Sequence, residues 1–178
     1  MTLRRLAIAA LALITLLTLV WGVPRLMGRS QESDAIRELA RIARSAAIYY
    51  VKPKPDENGG RMVCQFPRGS IRTIVPASCC DKTVTLGGCA CDPAKIEWNR
   101  TLWKTLHFQL LGPTAFVYAY EAAGTLGDAR YTVSAYGDLD CDGTMSTFRI
   151  RGRGDPRSKA DDCLVLDQTT FEAIQPDE

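Results

Sequence analysis

The residues with the clearest capacity for chemistry are three aspartates that alternate along one short stretch. Asp138, Asp140 and Asp142 are separated by single residues, and Gly143 follows them. Alternating carboxylates place hard oxygen ligands on one side of a loop, and glycine allows the sharp turn that a calcium loop needs. The spacing therefore predicts a calcium site. The residue in the closing twelfth position is Arg149, which cannot bind a cation.

The missing closing ligand leaves two interpretations of this turn open. Asp128 or Asp155 could supply the closing carboxylate from elsewhere in the chain. The alternative is a hairpin turn without metal, in which aspartate side chains accept hydrogen bonds from nearby backbone amides. The alternative needs no further ligand.

Seven cysteines, all beyond residue 60, indicate an oxidising compartment and a disulfide-stapled head. One must remain unpaired, and the pairing cannot be read from the sequence. Cys79 and Cys80 are adjacent, so each needs its own partner because a bond between neighbours distorts disulfide geometry. Cys141 is expected to pair with a distant cysteine such as Cys163. Short β-rich pieces at 70–75 and 83–86 interrupt this loop-rich region.

A zinc site is the competing interpretation of the cysteines. Cys79, Cys80, Cys89 and Cys91 could offer four sulfur ligands, but their spacings differ from the C-x2-C knuckle that zinc favours. His107, the only histidine, lies in an apolar stretch. The spacing therefore favours disulfides over zinc, and no cofactor is predicted with certainty.

Catalysis and nucleic-acid binding find no support in the sequence. A nucleophile needs a neighbouring base, and the chain has one histidine and no G-x-S-x-G, phosphate-loop or H-E-x-x-H motif. The net charge of +2 gives no electrostatic case for nucleic acid. Arg149, Arg151 and Arg153 alternate along one predicted strand, which favours a solvated face, with anion binding as the alternative.

An uncharged apolar run at 6–23, preceded by Arg4 and Arg5, dominates the N-terminus. As a helix it would reach roughly 27 Å, enough for the hydrocarbon core of a bilayer. The sequence thus predicts a single-pass inner-membrane protein with a cytoplasmic N-terminus and a periplasmic head. A cleaved signal peptide is the alternative.

Residues 31–50 form an amphipathic stripe with the 3.6-residue period of a helix. Prolines and glycines at 51–60 end it. We therefore predict a helical part at 1–51 and a globular head at 52–178. The apolar positions of the stripe are Ala35, Ile36, Leu39, Ala40, Ile42, Ala43, Ala46, Ala47 and Tyr50.

Alternating apolar residues and glycine turns predict an antiparallel meander in the head. Its strands are expected at 115–123, 129–136 and 146–151, with a strand beginning at 106–111 and a short last strand at 164–166. The fold class is therefore α+β: a long N-terminal helix, transmembrane and then amphipathic, packed on a small antiparallel sheet with disulfide-stapled loops.

Two sets of residues form a wider pattern along the chain. The N-terminal set is Pro24, Arg29, Gln31, Ser33, Ala35, Ile36, Leu39, Ile42, Ala46 and Tyr49. The C-terminal set is Trp98, Trp103, Phe108, Phe116, Tyr118, Tyr120, Gly124, Ala135, Gly137, Asp138 to Gly143, Ser146, Thr147 and Phe148. The N-terminal set resembles the helical spine of type IV pilins and type II secretion pseudopilins. The C-terminal set resembles pilin-like proteins of deltaproteobacteria, particularly myxobacteria.

This resemblance implies a spine whose first half packs with copies of itself in a filament and whose second half lies on the sheet. Some pseudopilins bind calcium, which agrees with the aspartate turn. The chain departs from the family at its start: the glycine before the processing site is missing, and Ala7 stands where the family has glutamate.

The resemblance implies a structural subunit, a minor component of a type IV pilus or type II secretion pseudopilus. Its partners would be the inner membrane, other pilin-like subunits and the pilus or secretion assembly machinery, with surface filaments as a further location. The alternative is a membrane-anchored periplasmic binding module that does not polymerise. The missing glycine and glutamate favour the alternative, and the spine and sheet patterns favour the subunit.

Overall fold

The structure is a computed structural model of the whole chain. It describes residues 2–52, 54–56, 58–73, 79, 90–139, 142–166 and 169–175. Within the first helix, the side chains described are those of residues 11, 13–18 and 32 onward. The chain forms two compact units, Met1–Asp34 and Ala35–Glu178. The first unit is helical, and the second contains the rest of that helix together with the head.

The helix α1 spans Thr2–Val51. The predicted amphipathic stripe is confirmed in the C-terminal part of α1, where six of the nine predicted apolar positions are buried in the core. Ile36 and Ala47 are half-buried, and Ala40 is exposed. The buried positions are Ala35, Leu39, Ile42, Ala43, Ala46 and Tyr50. The helix ends before Pro53 and Pro55, where proline cannot continue the helical hydrogen bonds.

The head contains a five-stranded antiparallel sheet in the order β1-β2-β3-β4-β5, with every strand beside its neighbour in sequence. The β2–β3 and β3–β4 pairs are local hairpins, which form readily between strands close in sequence. Residues 73–116, which include α2, separate β1 from β2. The strands are β1 Gly69–Arg72, β2 Val117–Ala123, β3 Arg130–Gly137, β4 Ser146–Arg153 and β5 Thr170–Ile174. A short helix, α2 Thr101–Thr105, and two 3-10 turns at Pro93–Lys95 and Leu126–Asp128 lie between them.

The inner face of the sheet is aromatic and lies in the same core as α1. Residues that are directly opposite in the register share a face. One such row on this face is Ile71, Tyr120, Val133, Ile150 and Phe171. Tyr50 of α1 reaches this face through Phe66, whose ring centroid lies 4.6 Å from that of Tyr50 and 4.8 Å from that of Tyr131.

Gly152 makes room for the ring of Tyr131 on the inner face. The two residues are opposite each other in the β3–β4 register. A Cβ atom at Gly152 would lie 2.6 Å from the Tyr131 hydroxyl oxygen, closer than real contacts allow. The strand therefore needs glycine at this position to keep the aromatic core.

Two disulfide bonds join the described cysteines and confirm a disulfide-stapled head. Cys64–Cys163 closes a loop with a sequence separation of 99, and Cys64 lies in the main core. Cys79–Cys91 closes a loop with a separation of 12 and packs with Val117 on the other face of the sheet. The suggested pairing of Cys141 with Cys163 is wrong, because Cys163 is bonded to Cys64. Cys141 itself lies outside the described residues.

Among the described residues, no helix offers a stretch long and apolar enough to cross a bilayer. The side chains described within the predicted span at 6–23 are those of residues 11 and 13–18. The other side chains of 6–23 lie outside the described residues. This finding contradicts the predicted transmembrane helix, and with it the predicted single-pass location in the inner membrane with a periplasmic head.

The three meander strands are confirmed as β2, β3 and β4, and the β-rich piece at 70–75 overlaps β1. The strand expected at 106–111 is wrong: the chain turns there, with His107 at a φ of 49°. The last strand is β5 rather than 164–166, where Val165 makes a single bridge to Gly154. The β-rich piece at 83–86 lies outside the described residues.

Candidate functional site

Five large apolar side chains in the first unit are exposed on the surface of α1. We call them the apolar helix segment: Leu11, Leu13, Ile14, Leu16 and Leu17. Each is 51% to 64% exposed. At about 100° per residue these five side chains cover roughly 220° of the helix circumference. The remaining sector holds Thr15 and no charged residue, so this part of the helix has no charged face.

The threonines in the same stretch do not break its apolar character. The Thr15 hydroxyl donates to the Leu11 carbonyl oxygen at 3.1 Å, and the Thr18 hydroxyl donates to the Thr15 carbonyl oxygen at 2.9 Å. Because these donors bind the helix's own backbone, they do not need water. A helix that is apolar on every side is normally buried by something else.

The aspartate turn is held by hydrogen bonds to its own backbone. Asp138 is only 5% exposed. Its Oδ1 accepts a hydrogen bond from the Asp142 amide, and its Oδ2 accepts one from the Gly143 amide, both at 3.1 Å. Asp142 Oδ1 accepts from the Thr144 amide at 2.6 Å. Gly143 has a φ of 98°, a conformation that favours glycine.

These contacts match the metal-free turn, in which aspartate oxygens bind backbone amides. Asp140 lies outside the described residues, and the described part of the chain contains no group of three potential metal ligands. The calcium site at Asp138, Asp140 and Asp142 therefore stays a prediction.

The suggested closing carboxylate Asp155 has another partner. Its Oδ2 lies 2.6 Å from Arg157 Nη2, and its Oδ1 accepts hydrogen bonds from Arg157 Nε and the Arg157 amide. These bonds lower the pKa of Asp155 to about 2, with the nearby charge of Arg153 as a weaker contribution. Asp128 is exposed in the 3-10 turn before β3. Arg149 lies on β4 and is ion-paired with Glu172.

The zinc alternative is excluded for its full set of cysteines. Cys79 and Cys91 are bonded to each other, and a disulfide sulfur is not the thiolate that zinc binds. Cys80 and Cys89 lie outside the described residues. His107 is exposed in the turn after α2.

The outer face of the sheet carries arginines and hydroxyl groups. Five arginines and two glutamates project from it: Arg72, Arg130, Arg149, Arg151 and Arg153, with Glu121 and Glu172. Sequence reasoning found the alternating arginines of β4 but missed Arg130, which the register places opposite Arg153. Residues 138–145 separate β3 from β4, and a connection of this length does not fix the register from the sequence alone.

One buried polar group on the inner face has no assigned use. The Tyr120 hydroxyl has no hydrogen-bond partner among the described residues. Burial raises the pKa of Tyr120, and burial also raises the pKa of Tyr131 to about 12. Both tyrosines therefore stay neutral across the physiological pH range.

Comparisons of the chain with protein-family models, with curated proteins and with solved structures found no match.

Proposed function

We propose that this chain is a pilin-like structural subunit, a minor component of a type IV pilus or a type II secretion pseudopilus. It assembles by packing its N-terminal helix against the helices of other subunits. The observation that carries this proposal is the apolar helix segment, whose five large side chains are exposed in the isolated chain.

The size of this surface favours burial by a partner. Burying one large apolar side chain contributes roughly 1.5–3 kcal/mol, so five such residues offer a large driving force for association. Because they cover roughly 220° of the helix circumference, a partner on one side would leave some of them in water. Several neighbouring helices, as in the core of a helical filament, would cover all of them.

The head supports the same proposal. The second unit of the chain, which contains the head, combines the amphipathic stripe of α1 with an antiparallel sheet. This arrangement is compatible with the pilin-like pattern of the sequence. The described part of α1 that lies in this core begins at Ala35.

The test is self-association of the full chain with and without the apolar helix segment. We expect the triple variant Leu13→Gln, Leu16→Gln, Leu17→Gln to lose filament incorporation and chemical cross-links between copies. A matched control, Val63→Gln, Leu111→Gln, Ile174→Gln, removes three exposed apolar side chains of the head. It should cross-link and enter sheared filaments as the natural chain does.

Either of two association results would contradict the proposal. The natural chain could remain monomeric and absent from filaments, or the control could fail as strongly as the triple variant. Intact mass and N-terminal sequencing of the filament protein add a second criterion. A chain shortened by a few residues and methylated at its N-terminus indicates a processed pilin, whereas a chain starting beyond Arg29 would overturn the proposal.

A further inference from the structure

Three arginines form a cluster at one end of the outer face. Arg130 on β3 is directly opposite Arg153 on β4, and Arg151 lies on the same face two residues before Arg153. Opposite residues in an antiparallel pair have Cα atoms about 4.5–5.5 Å apart, and residues two apart on a strand are separated by about 6.7 Å. All three side chains belong to exposed residues. We call Arg130, Arg151 and Arg153 the arginine cluster.

The charges around this cluster are only partly balanced. Glu172 is shared, at 3.1 Å from Arg149 and 2.9 Å from Arg151. Asp155 is near Arg153 but is held by Arg157 through three hydrogen bonds. Among the described residues, no carboxylate makes an ion pair with Arg130 or Arg153.

Like charges placed directly opposite each other destabilise a sheet. Sequences that fold well avoid such local conflicts except where function requires them. An anion between Arg130 and Arg153 would turn this repulsion into attraction. Guanidinium groups also suit this role, because each presents a planar set of donors that matches the oxygens of sulfate or phosphate.

We propose that the arginine cluster binds the sulfate or phosphate groups of an anionic polysaccharide. The surrounding surface fits a sugar polymer, because hydroxyl-bearing residues continue the same rows across the sheet. One row holds Ser70, Glu121, Thr132, Arg151 and Thr170. These side chains can exchange hydrogen bonds with sugar hydroxyls beside the bound anion.

Nucleic acid fits this surface less well. Proteins that bind single strands stack bases on aromatic side chains. The aromatic residue among the described strand residues of the outer face is Tyr136, which lies outside the rows that contain arginine. The Arg72 guanidinium already lies over its ring, at 5.4 Å from the centroid.

The experiment measures binding of the full chain to sulfated dextran, with uncharged dextran, inorganic sulfate and single-stranded DNA as the other probes. The double variant is Arg130→Gln, Arg153→Gln. The matched control, Arg61→Gln, Arg68→Gln, removes the same formal charge from exposed residues outside the strands. We expect the cluster variant to bind sulfated dextran roughly tenfold more weakly or worse, and the control to stay within about twofold.

Thermal unfolding separates lost binding from lost folding. Without ligand, the cluster variant should melt no lower than the natural chain, because the substitution removes a repulsive pair. Sulfated dextran should raise the melting temperature of the natural chain and the control, and leave that of the cluster variant almost unchanged.

Four results would overturn the proposal. The chain could fail to bind sulfated dextran, or both variants could weaken binding equally, which would indicate general charge attraction. Inorganic sulfate could bind as tightly as the polymer, which would indicate a simple ion site. Single-stranded DNA could bind more tightly than sulfated dextran, which would assign the face to nucleic acid.

Discussion

The two faces of the sheet use the same strands for opposite chemistry. On β4, Phe148 and Ile150 face the aromatic core, while Arg149 and Arg151 alternate with them on the outer face. The inner residues are buried in the same core as α1 and pack beside neighbouring aromatic rings. The outer residues of β4 are Thr147 and three arginines, of which Arg151 and Arg153 are exposed. The comparison indicates that the inner face sets stability and the outer face is available for binding.

The sharpest way to break this comparison is to truncate two neighbours that point to opposite faces. Phe148 is fully buried, with its ring centroid 5.7 Å from that of Phe116. We expect Phe148→Ala to lower the free energy of unfolding by about 3–5 kcal/mol, since it leaves a cavity in the core. Denaturant titration of the purified chain measures this loss.

The matched change on the outer face is Arg149→Ala. Its side chain bonds Glu172 at 3.1 Å and Ser134 Oγ at 3.3 Å, partly in contact with solvent. Such pairs contribute about 1 kcal/mol or less, so this variant should unfold close to the natural chain. Equal losses for the two variants would contradict the division between the faces.

The two disulfides extend the comparison, because one belongs to the inner core and the other packs on the outer face. In the chain-entropy description, Cys64–Cys163 contributes about 4.7 kcal/mol and Cys79–Cys91 about 2.8 kcal/mol, since the first closes a much longer loop. We therefore expect Cys64→Ala, Cys163→Ala to be less stable than Cys79→Ala, Cys91→Ala by roughly 2 kcal/mol.

Denaturant unfolding without reductant tests this ranking. Full reduction of the natural chain provides the lower limit, because it removes both bonds. The reverse order of the two variants would mean that strain or residual structure outweighs loop length.

Alkaline pH should lower the free energy of unfolding by a smaller amount, and it should act through the inner face only. Burial raises the pKa of Tyr131 from 10.0 to about 12, so the unfolded chain releases this proton before the folded chain does. Stability is complete below pH 10 and falls as pH rises toward 12, by about 1.4 kcal/mol at pH 11 from this residue. The outer arginines keep their charge across this range.

Denaturant titrations at about pH 8 and about pH 11 measure this effect. In the variant Tyr120→Phe, Tyr131→Phe, the difference between the two pH values should shrink, because the buried groups that titrate are gone. An unchanged difference would show that other groups cause the alkaline loss.

Patterns of nearby residues correctly predicted the helix and strands whose burial repeats with a regular period along the sequence. Alternation predicted β2, β3 and β4, and the 3.6-residue stripe predicted the buried face of α1. The strand expected at 106–111 failed because the turn at His107 redirects the chain, and the Gln109 carbonyl oxygen instead accepts a hydrogen bond from Arg41. That contact is made between distant residues and leaves no local pattern.

The prediction of a last strand at 164–166 failed for a similar reason. Leu164 looked like part of a strand, but its amide donates to the Ser158 hydroxyl at 3.0 Å and its carbonyl accepts from Ser158, which fixes it in a loop. The edge strand β5 is mostly exposed, so it lacks the buried alternation that identifies a strand. The opposition of Arg130 and Arg153 depends on register, and the cysteine partners depend on the finished fold.

The Cys64–Cys163 bond also determines what happens when the chain is pulled by its ends. The pulling force passes through this covalent bond and does not act on β1, β2, β3 and β4, which all lie inside the closed loop. When the subunit is stretched, α1 and β5 can unfold, but the strands inside the disulfide loop cannot extend. Roughly 330 Å of chain length therefore stays folded within the loop. The head would therefore behave as a nearly inextensible link that transmits force through one covalent bridge.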